Sequence, residues 1–336
     1  MKIGLLFAGQ GAQYPGMGKS LYESSQAAAK VFDAAGNQIK EWCFNGTKEV
    51  LAQTQVTQPC VYTVSMAAYR AFLESVLKHG EDLGGSIEIV GIAGFSLGEY
   101  SALTVAGAID GIGKGLDIVA RRGELMQKAG SDDDGNPKGG MVAAIGKRPD
   151  ILKCVDGARG DGILEGVNFN SPSQTVVAGD KNAIGRFVKA AAEVRIKTIP
   201  LSVGTAFHSP MMEPAVGPLK QILLEADLKE PDIKFFCNVT GGDMFDGRPA
   251  DSSGVAEHVA ETMAKQAKSP IYWQETIENM ARDGIEALVE FGPGTTLSGL
   301  VKKISPQLTA LNVEDAESLA KAVQALADMA GAERGA

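Results

Sequence analysis

The residues best suited to chemistry in this chain surround one serine. Gly94-Phe95-Ser96-Leu97-Gly98 has the form GxSxG, in which a nucleophile sits on a sharp strand-to-helix turn and glycines two residues to either side relieve the crowding. A tight turn with an inert serine has the same local sequence, so the flanks decide between the two. The apolar run Ile87-Glu88-Ile89-Val90-Gly91-Ile92-Ala93 precedes the motif, and small, helix-forming residues from Glu99 to Ala108 follow it. A helix starting there turns its free N–H groups and positive dipole end toward Ser96, and makes the Leu97 N–H a candidate oxyanion donor.

A hydroxyl needs a base to become nucleophilic, and the chain has only three histidines. His79 stands in His79-Gly80-Glu81-Asp82, which reads as a solvated helix end. His258 lies in an amphipathic helical pattern with acidic neighbours and reads as a surface residue. His208 occurs in Val203-Gly204-Thr205-Ala206-Phe207-His208-Ser209-Pro210-Met211, a turn-rich loop after an apolar run, where positioned catalytic groups concentrate. It is the candidate base.

The elements that must hold these residues follow an α/β rhythm. A strand at Ile3–Phe7 leads into the Gly-rich turn Gly9-Gln10-Gly11-Ala12-Gln13. Helical patterns follow near 21–35 and 59–77, the second opened by Thr57-Gln58-Pro59, where Pro suits a first helical turn. The polar, acidic stretch Ser131 to Gly140 reads as an exposed connection. Beyond it, apolar runs at 141–145, 163–168, 175–179 and 195–199 alternate with helical stretches at 149–156 and 181–192, the βαββαβ order of a ferredoxin-like unit. Longer α/β elements then resume near 218–227, 233–239, 254–267, 271–282 and 286–291, with a terminal helix at 315–329. The expected domain plan is a discontinuous large subdomain, 1–137 and 203–336, interrupted by a small one, 138–202.

Composition narrows the function classes. With 44% apolar and 22% charged residues the chain is an ordinary folded protein. Its net charge of -9 argues against general affinity for nucleic acid or anionic membrane. No apolar run approaches the roughly 18 residues of a spanning helix, and residues 1–9 are too short for a signal sequence. Four cysteines without any CxxC pair fit reduced thiols in a cytoplasm better than disulfides or a zinc site.

Eight ordered segments carry a family resemblance: Phe7-Ala8-Gly9-Gln10-Gly11-Ala12-Gln13, Thr57-Gln58-Pro59, Gly94 to Tyr100, Arg121-Arg122-Gly123, Asn168-Phe169-Asn170-Ser171-Pro172, Phe207-His208-Ser209-Pro210, Asn238-Val239-Thr240 and Phe291-Gly292-Pro293-Gly294. Together they resemble the malonyl-CoA:acyl carrier protein transacylases over roughly 3–315. The resemblance implies a hydrolase-like parallel-sheet α/β core with the inserted ferredoxin-like subdomain. It implies Ser96 as acylated nucleophile and His208 as base, with the imidazole oriented by a backbone carbonyl near Gln266. Gln10 would supply the second oxyanion N–H beside Leu97. Arg121 would grip the malonyl carboxylate, a pairing that suits a planar guanidinium; taken alone, Arg121 reads as a helix-surface charge. Phe207 resembles the malonyl-selective form of its loop, where a bulky ring leaves little room for an α-methyl branch. Expected partners are malonyl-CoA and an acyl carrier protein, with no cofactor, no metal, no nucleic acid and no membrane, for a cytoplasmic monomer.

The sequence departs from the family pattern where Ala8 replaces the usual Pro and Phe95 the usual His. The expected reaction is malonyl transfer from coenzyme A to the carrier's phosphopantetheine thiol, in fatty acid or polyketide synthesis. A serine thioesterase or hydrolase shares GxSxG but has no use for a carboxylate-binding arginine, and a non-catalytic carrier-binding module would form no acyl-protein. Lys181, Arg186 and Lys189 on the inserted helix offer positive charge to an acidic carrier, and a solvated helix face explains them equally well.

Overall fold

The computed structural model describes residues 1–78, 83, 87–247 and 254–335; His79 lies outside them. Its strands are numbered in chain order. β1 (Lys2–Phe7), β2 (Glu88–Gly94), β7 (Phe235–Phe236), β8 (Ala287–Phe291) and β9 (Thr309–Val313) form a five-stranded sheet in the order β7-β2-β1-β8-β9, with every pairing parallel. The near-continuous apolar runs of β1 and β8 follow from burial on both faces. Helices Thr54–Lys78 and Gly98–Val105 help cover this sheet, and Ile112–Ala129 packs against both of them.

One helix start differs from expectation. Pro59 lies inside helix Thr54–Lys78 and does not open it. The Thr54 N–H is taken by Gln127 Oε1, and the Thr57 hydroxyl donates to the Leu51 and Gln53 carbonyls. These bonds and burial of nearly every residue from Thr54 to Ala68 offset the one helical hydrogen bond that proline removes.

β3 (Gly139–Ile145), β4 (Leu164–Ser171), β5 (Gln174–Asp180) and β6 (Lys197–Pro200) form a second, antiparallel sheet in the order β4-β5-β3-β6. Residues of alternating parity face opposite ways along a strand. Val142, Ala144 and Val177 pack with Ile151 and Phe187 of the helices Arg148–Arg159 and Lys181–Glu193, whereas Met141, Ala143, Val176 and Ala178 join the main core. The antiparallel sheet therefore presents one face to the parallel-sheet unit, and the candidate site lies along that junction. No helix among the described residues is long and apolar enough to cross a membrane.

Candidate active site

The parallel register brings the functional loops to one edge. Phe7 is paired with Gly94 on one side and Phe291 on the other, so the segments after β1, β2 and β8 leave together at the strand C-terminal ends, where open α/β sheets place their ligands. The turn after β2 is as tight as GxSxG requires. A Cβ on Gly94 would lie 1.9 Å from the Gly98 carbonyl carbon, and one on Gly98 would lie 2.1 Å from Phe7 O. Ser96 itself has φ of 52°, a left-handed conformation that a non-glycine residue adopts only under constraint.

Ser96 and His208 meet across this edge although 112 residues separate them: His208 Nε2 lies 2.9 Å from Ser96 Oγ. His208 Nδ1 lies 3.0 Å from the backbone oxygen of Gln266. A carbonyl only accepts, so Nδ1 carries the proton and the Nε2 lone pair faces the serine hydroxyl. His208 is buried and also has positive φ, 61°. Burial first, and the nearby Arg122 charge second, push its pKa down to about 4, against the bonds to Gln266 and Ser269. The imidazole is therefore neutral and able to take a proton across the physiological range. His258 lies elsewhere, its Nε2 2.9 Å from Met244 O.

The arginine at the site is not the expected one. Arg121 lies on the exposed side of helix Ile112–Ala129, its side chain 45% exposed and 3.8 Å from Asp117 one turn earlier. Arg122 is turned inward and is 1% exposed. It donates to Ser96 Oγ at 3.2 Å, Gln58 Oε1 at 2.9 Å and Gln266 Oε1 at 2.9 Å, and its guanidinium lies over the Tyr100 ring. The difference is one residue, about 100° of helical rotation, and it follows the apolar stripe: Gly115, Ile118, Val119, Arg122, Gly123, Met126 and Ala129 are the buried positions. That spacing could have identified Arg122 in advance, and helical register overrides the expectation for Arg121. Gln58, noted in the sequence without a role, reads there as part of a helix start, whereas it lies inside helix Thr54–Lys78 and is buried there.

Leu97 and Gln10 are the residues whose backbone N–H groups are the expected oxyanion donors. Among the described residues neither N–H has a protein partner, whereas the Ser96 N–H is taken by Asn238 Oδ1 at 2.7 Å. The Gln10 side chain is held by Thr54 Oγ1 at 3.2 Å. Next to them, between the two sheets, lies a cavity of about 230 Å³. Phe95 and Gln10 are among its lining residues, and Asn168, Asn170, Gln174 and Glu290 bring polar groups to it. Asn168 Oδ1 and Asn170 Oδ1 are buried without a partner. Glu290 caps the helix Thr296–Ile304 through the Leu297 and Ser298 N–H groups, and burial pushes its carboxyl up to about 7.

The Phe95 ring packs edge-on against Trp273, with centroids 5.3 Å apart, so the departure from His gives the cavity an apolar wall. Phe207 is buried in the main core and is not among the cavity-lining residues. On the inserted helix, Lys181 and Lys189 are exposed. Arg186 is exposed too, and its guanidinium is committed to the end of helix Arg148–Arg159, donating to the Ala158 and Arg159 carbonyls. Among the described residues no group of three or more His, Cys, Asp or Glu could hold a metal ion.

A serine on a strained strand-to-helix turn with a neutral histidine on its hydroxyl is an arrangement that can form and discharge an acyl ester. The acyl transferase domain family model matches residues 5–334, and the chain belongs to this family. Its relatives include the malonyl CoA-acyl carrier protein transacylase of Bacillus subtilis, 35% identical over 332 residues and 97% of each chain. That of Escherichia coli strain K12 is 33% identical over 331 residues, covering 96% of this chain and 99% of its own. Among solved structures, the malonyl CoA-acyl carrier protein transacylase of Clostridium perfringens superposes with a TM-score of 0.86 at 34% identity, covering 99% of this chain and all of that one. A type II PKS acyl-carrier protein in complex with its malonyl-transacylase matches with a TM-score of 0.84 at 32% identity, covering 96% and 99%.

Proposed function

We propose that this protein is a malonyl transferase, moving a malonyl group from coenzyme A to the phosphopantetheine thiol of an acyl carrier protein through a malonyl-Ser96 ester. The observation that carries the reading is the electrostatic state of Arg122. Its guanidinium is buried 3.2 Å from Ser96 Oγ, its contacts there are a hydroxyl and two amide oxygens, and its Nε has no partner. Among the described residues no carboxylate contacts it, and the buried Glu99 carboxyl attracts it only from across the shared Gln266 side chain. A buried charge without a counter-ion in contact is unfavourable, and the free carboxylate of a malonyl group would supply that contact while the thioester carbon meets Ser96. A general thioesterase has no need for such an arginine.

In the first half-reaction the Ser96 proton passes to His208 Nε2 as Oγ attacks the thioester carbonyl. The developing oxyanion is received by the Leu97 and Gln10 N–H groups. The C–S bond breaks, and His208 returns its proton to the departing coenzyme A sulfur. In the second, the carrier thiol gives its proton to His208, its sulfur attacks the ester carbonyl, and Ser96 Oγ leaves and is reprotonated. The chemistry is proton and acyl transfer throughout, with no electron donor or acceptor. The cavity holds the thiol-bearing arm, whose amide N–H groups suit the unpartnered Asn168 and Asn170 oxygens, with apolar contact at Phe95. Residues 138–202, which contain β3 to β6 and their helices, form the small subdomain in this reading, and 1–137 with 203–336 the large one.

Incubation with labelled malonyl-CoA followed by intact-mass measurement tests the reading. Malonyl on the protein that moves to added carrier supports it. Accumulation of free malonate without transfer would indicate a hydrolase, and absence of any acyl-protein would indicate a binding module.

A further inference from the structure

The backbone of Ser96 is held from both sides by side chains that do not take part in the transfer steps. Its N–H donates to Asn238 Oδ1 and its carbonyl accepts from Gln266 Nε2, each at 2.7 Å. Asn238 Nδ2 donates to Gly94 O, also at 2.7 Å, so one amide spans the turn. Both holders converge on a single carboxylate: Glu99 Oε1 accepts the Asn238 backbone N–H and Glu99 Oε2 accepts Gln266 Nε2, each at 2.6 Å. Glu99, Asn238 and Gln266 are completely buried.

Two properties of the site require such a hold. The positive φ of Ser96 is strained and persists only where the surroundings over-determine it; relaxation toward ordinary helical values would swing Oγ away from His208. Occupying the Ser96 N–H also leaves Leu97 as the free donor of the turn. A buried carboxylate is itself unfavourable unless its oxygens are satisfied, and both oxygens of Glu99 are bonded to the residues that grip the nucleophile.

We propose that Glu99 and Asn238 are positioning residues that clamp the nucleophile turn, Glu99 acting as the hub that fixes Asn238 on one side of Ser96 and Gln266 on the other. The proposal rests on the reading of Ser96 as the acylated nucleophile. The clamp acts on the rate at which Ser96 reacts and not on the number of sites that can react.

The test measures the full-length chain and its Asn238→Ala, Asn238→Asp and Glu99→Gln variants in two rapid-quench assays: malonylation by malonyl-CoA, and phosphonylation by a fluorophosphonate, which reports Ser96 reactivity whatever the natural acyl donor is. Misplacement of a reacting group by about 1 Å can cost 10²-fold, so the rate constant is expected to fall roughly 10- to 100-fold in both assays while the end-point stays near one label per chain. The Asn238→Ala protein keeps Arg122 and should show a KM for malonyl-CoA close to that of the parent. In Asn238→Asp the introduced carboxyl can donate to Gly94 O only when protonated, so its rate should fall as pH rises through neutrality, where the parent's does not. Parental rate constants in these variants, or a lowered end-point with an unchanged rate constant, would overturn the clamp. If Asn238→Ala does not fold, the isosteric Asn238→Asp and Glu99→Gln proteins decide. Phosphonylation of the parent without malonylation would overturn the malonyl reading instead, and the phosphonylation rates would still decide the clamp.

Discussion

Replacing Arg122 with Ala removes the guanidinium that touches Ser96 Oγ, and the structure sets the size of the expected loss. The side chain is 1% exposed, so a substrate carboxylate would pair with it out of water, and breaking such a pair on one side costs about 2–5 kcal/mol. Each 1.36 kcal/mol is about tenfold in rate. The expected fall in kcat/KM for malonyl-CoA is therefore about 30-fold at the low end and a few thousand-fold at the high end. Acetyl-CoA should not follow it. Its acyl group leaves the guanidinium unpaired in the parent protein, so the truncation leaves acetyl transfer unchanged or improves it. Gln58 and Gln266 also lose their donor, at about 1–3 kcal/mol of stability for each acceptor left dry, which a thermal melt would show. Any fraction of inactive protein lowers both substrates equally and cancels in their ratio. The assay is steady-state transfer to a carrier with both acyl donors, with Arg121→Ala in parallel. That variant breaks an exposed i,i+4 pair with Asp117, which contributes little, so both of its rates should stay within about twofold of the parent's. Equal loss of the two substrates in Arg122→Ala, or a selective malonyl loss in Arg121→Ala, would refute the reasoning.

Ser96→Ala should abolish the acyl-protein and leave the melting temperature close to the parent's, because one oxygen is lost and no core volume; intact mass and calorimetry check both. His208→Ala should slow acylation by roughly 10²–10⁴-fold, the usual contribution of a general base, read by rapid quench. The pKa of His208, lowered from 6.5 to about 4, places the acid limb of kcat/KM well below the ordinary histidine range. The unfolded chain then binds the extra proton between those values, so this residue's contribution to stability is full above about pH 6.5 and declines as pH falls toward 4. Chemical denaturation across that window should show less loss in His208→Ala than in the parent. Gly98→Ala would drive a Cβ to 2.1 Å from Phe7 O, a backbone atom that cannot yield, so it should cost at least the roughly 1–3 kcal/mol of an overpacked core; a parental urea midpoint would contradict that.

What could be read in advance divides along physical lines. The alternation of apolar runs and helical stretches was enough to anticipate both sheets, because parallel strands buried on both faces and the βαββαβ order leave strong local patterns. β9 was not anticipated; its residues Thr309–Val313 are mostly half-buried and lack a continuous apolar run. Ser96 and His208 are legible because a nucleophile turn and a histidine in a turn-rich loop have few alternatives in a chain with three histidines. Arg122 could have been found by asking which of two adjacent arginines falls on the buried stripe of its helix. Glu99 and Asn238 could not, since their role depends on contacts 139 residues apart that no local pattern encodes. The position of Phe207 in the core and the commitment of Arg186 to a neighbouring helix end are likewise tertiary facts.

The central claim is that malonyl resides on Ser96 on its way from coenzyme A to a carrier. It is tested most directly by a pulse-chase experiment. Protein is mixed with labelled malonyl-CoA, quenched on the millisecond scale and digested, and the peptide containing Gly94–Gly98 is weighed before and after a chase with phosphopantetheinylated carrier. The account predicts a malonyl ester on Ser96 that forms and discharges to the carrier at least as fast as steady-state turnover. Label on another residue, or a Ser96 ester that discharges more slowly than the protein turns over, would contradict it.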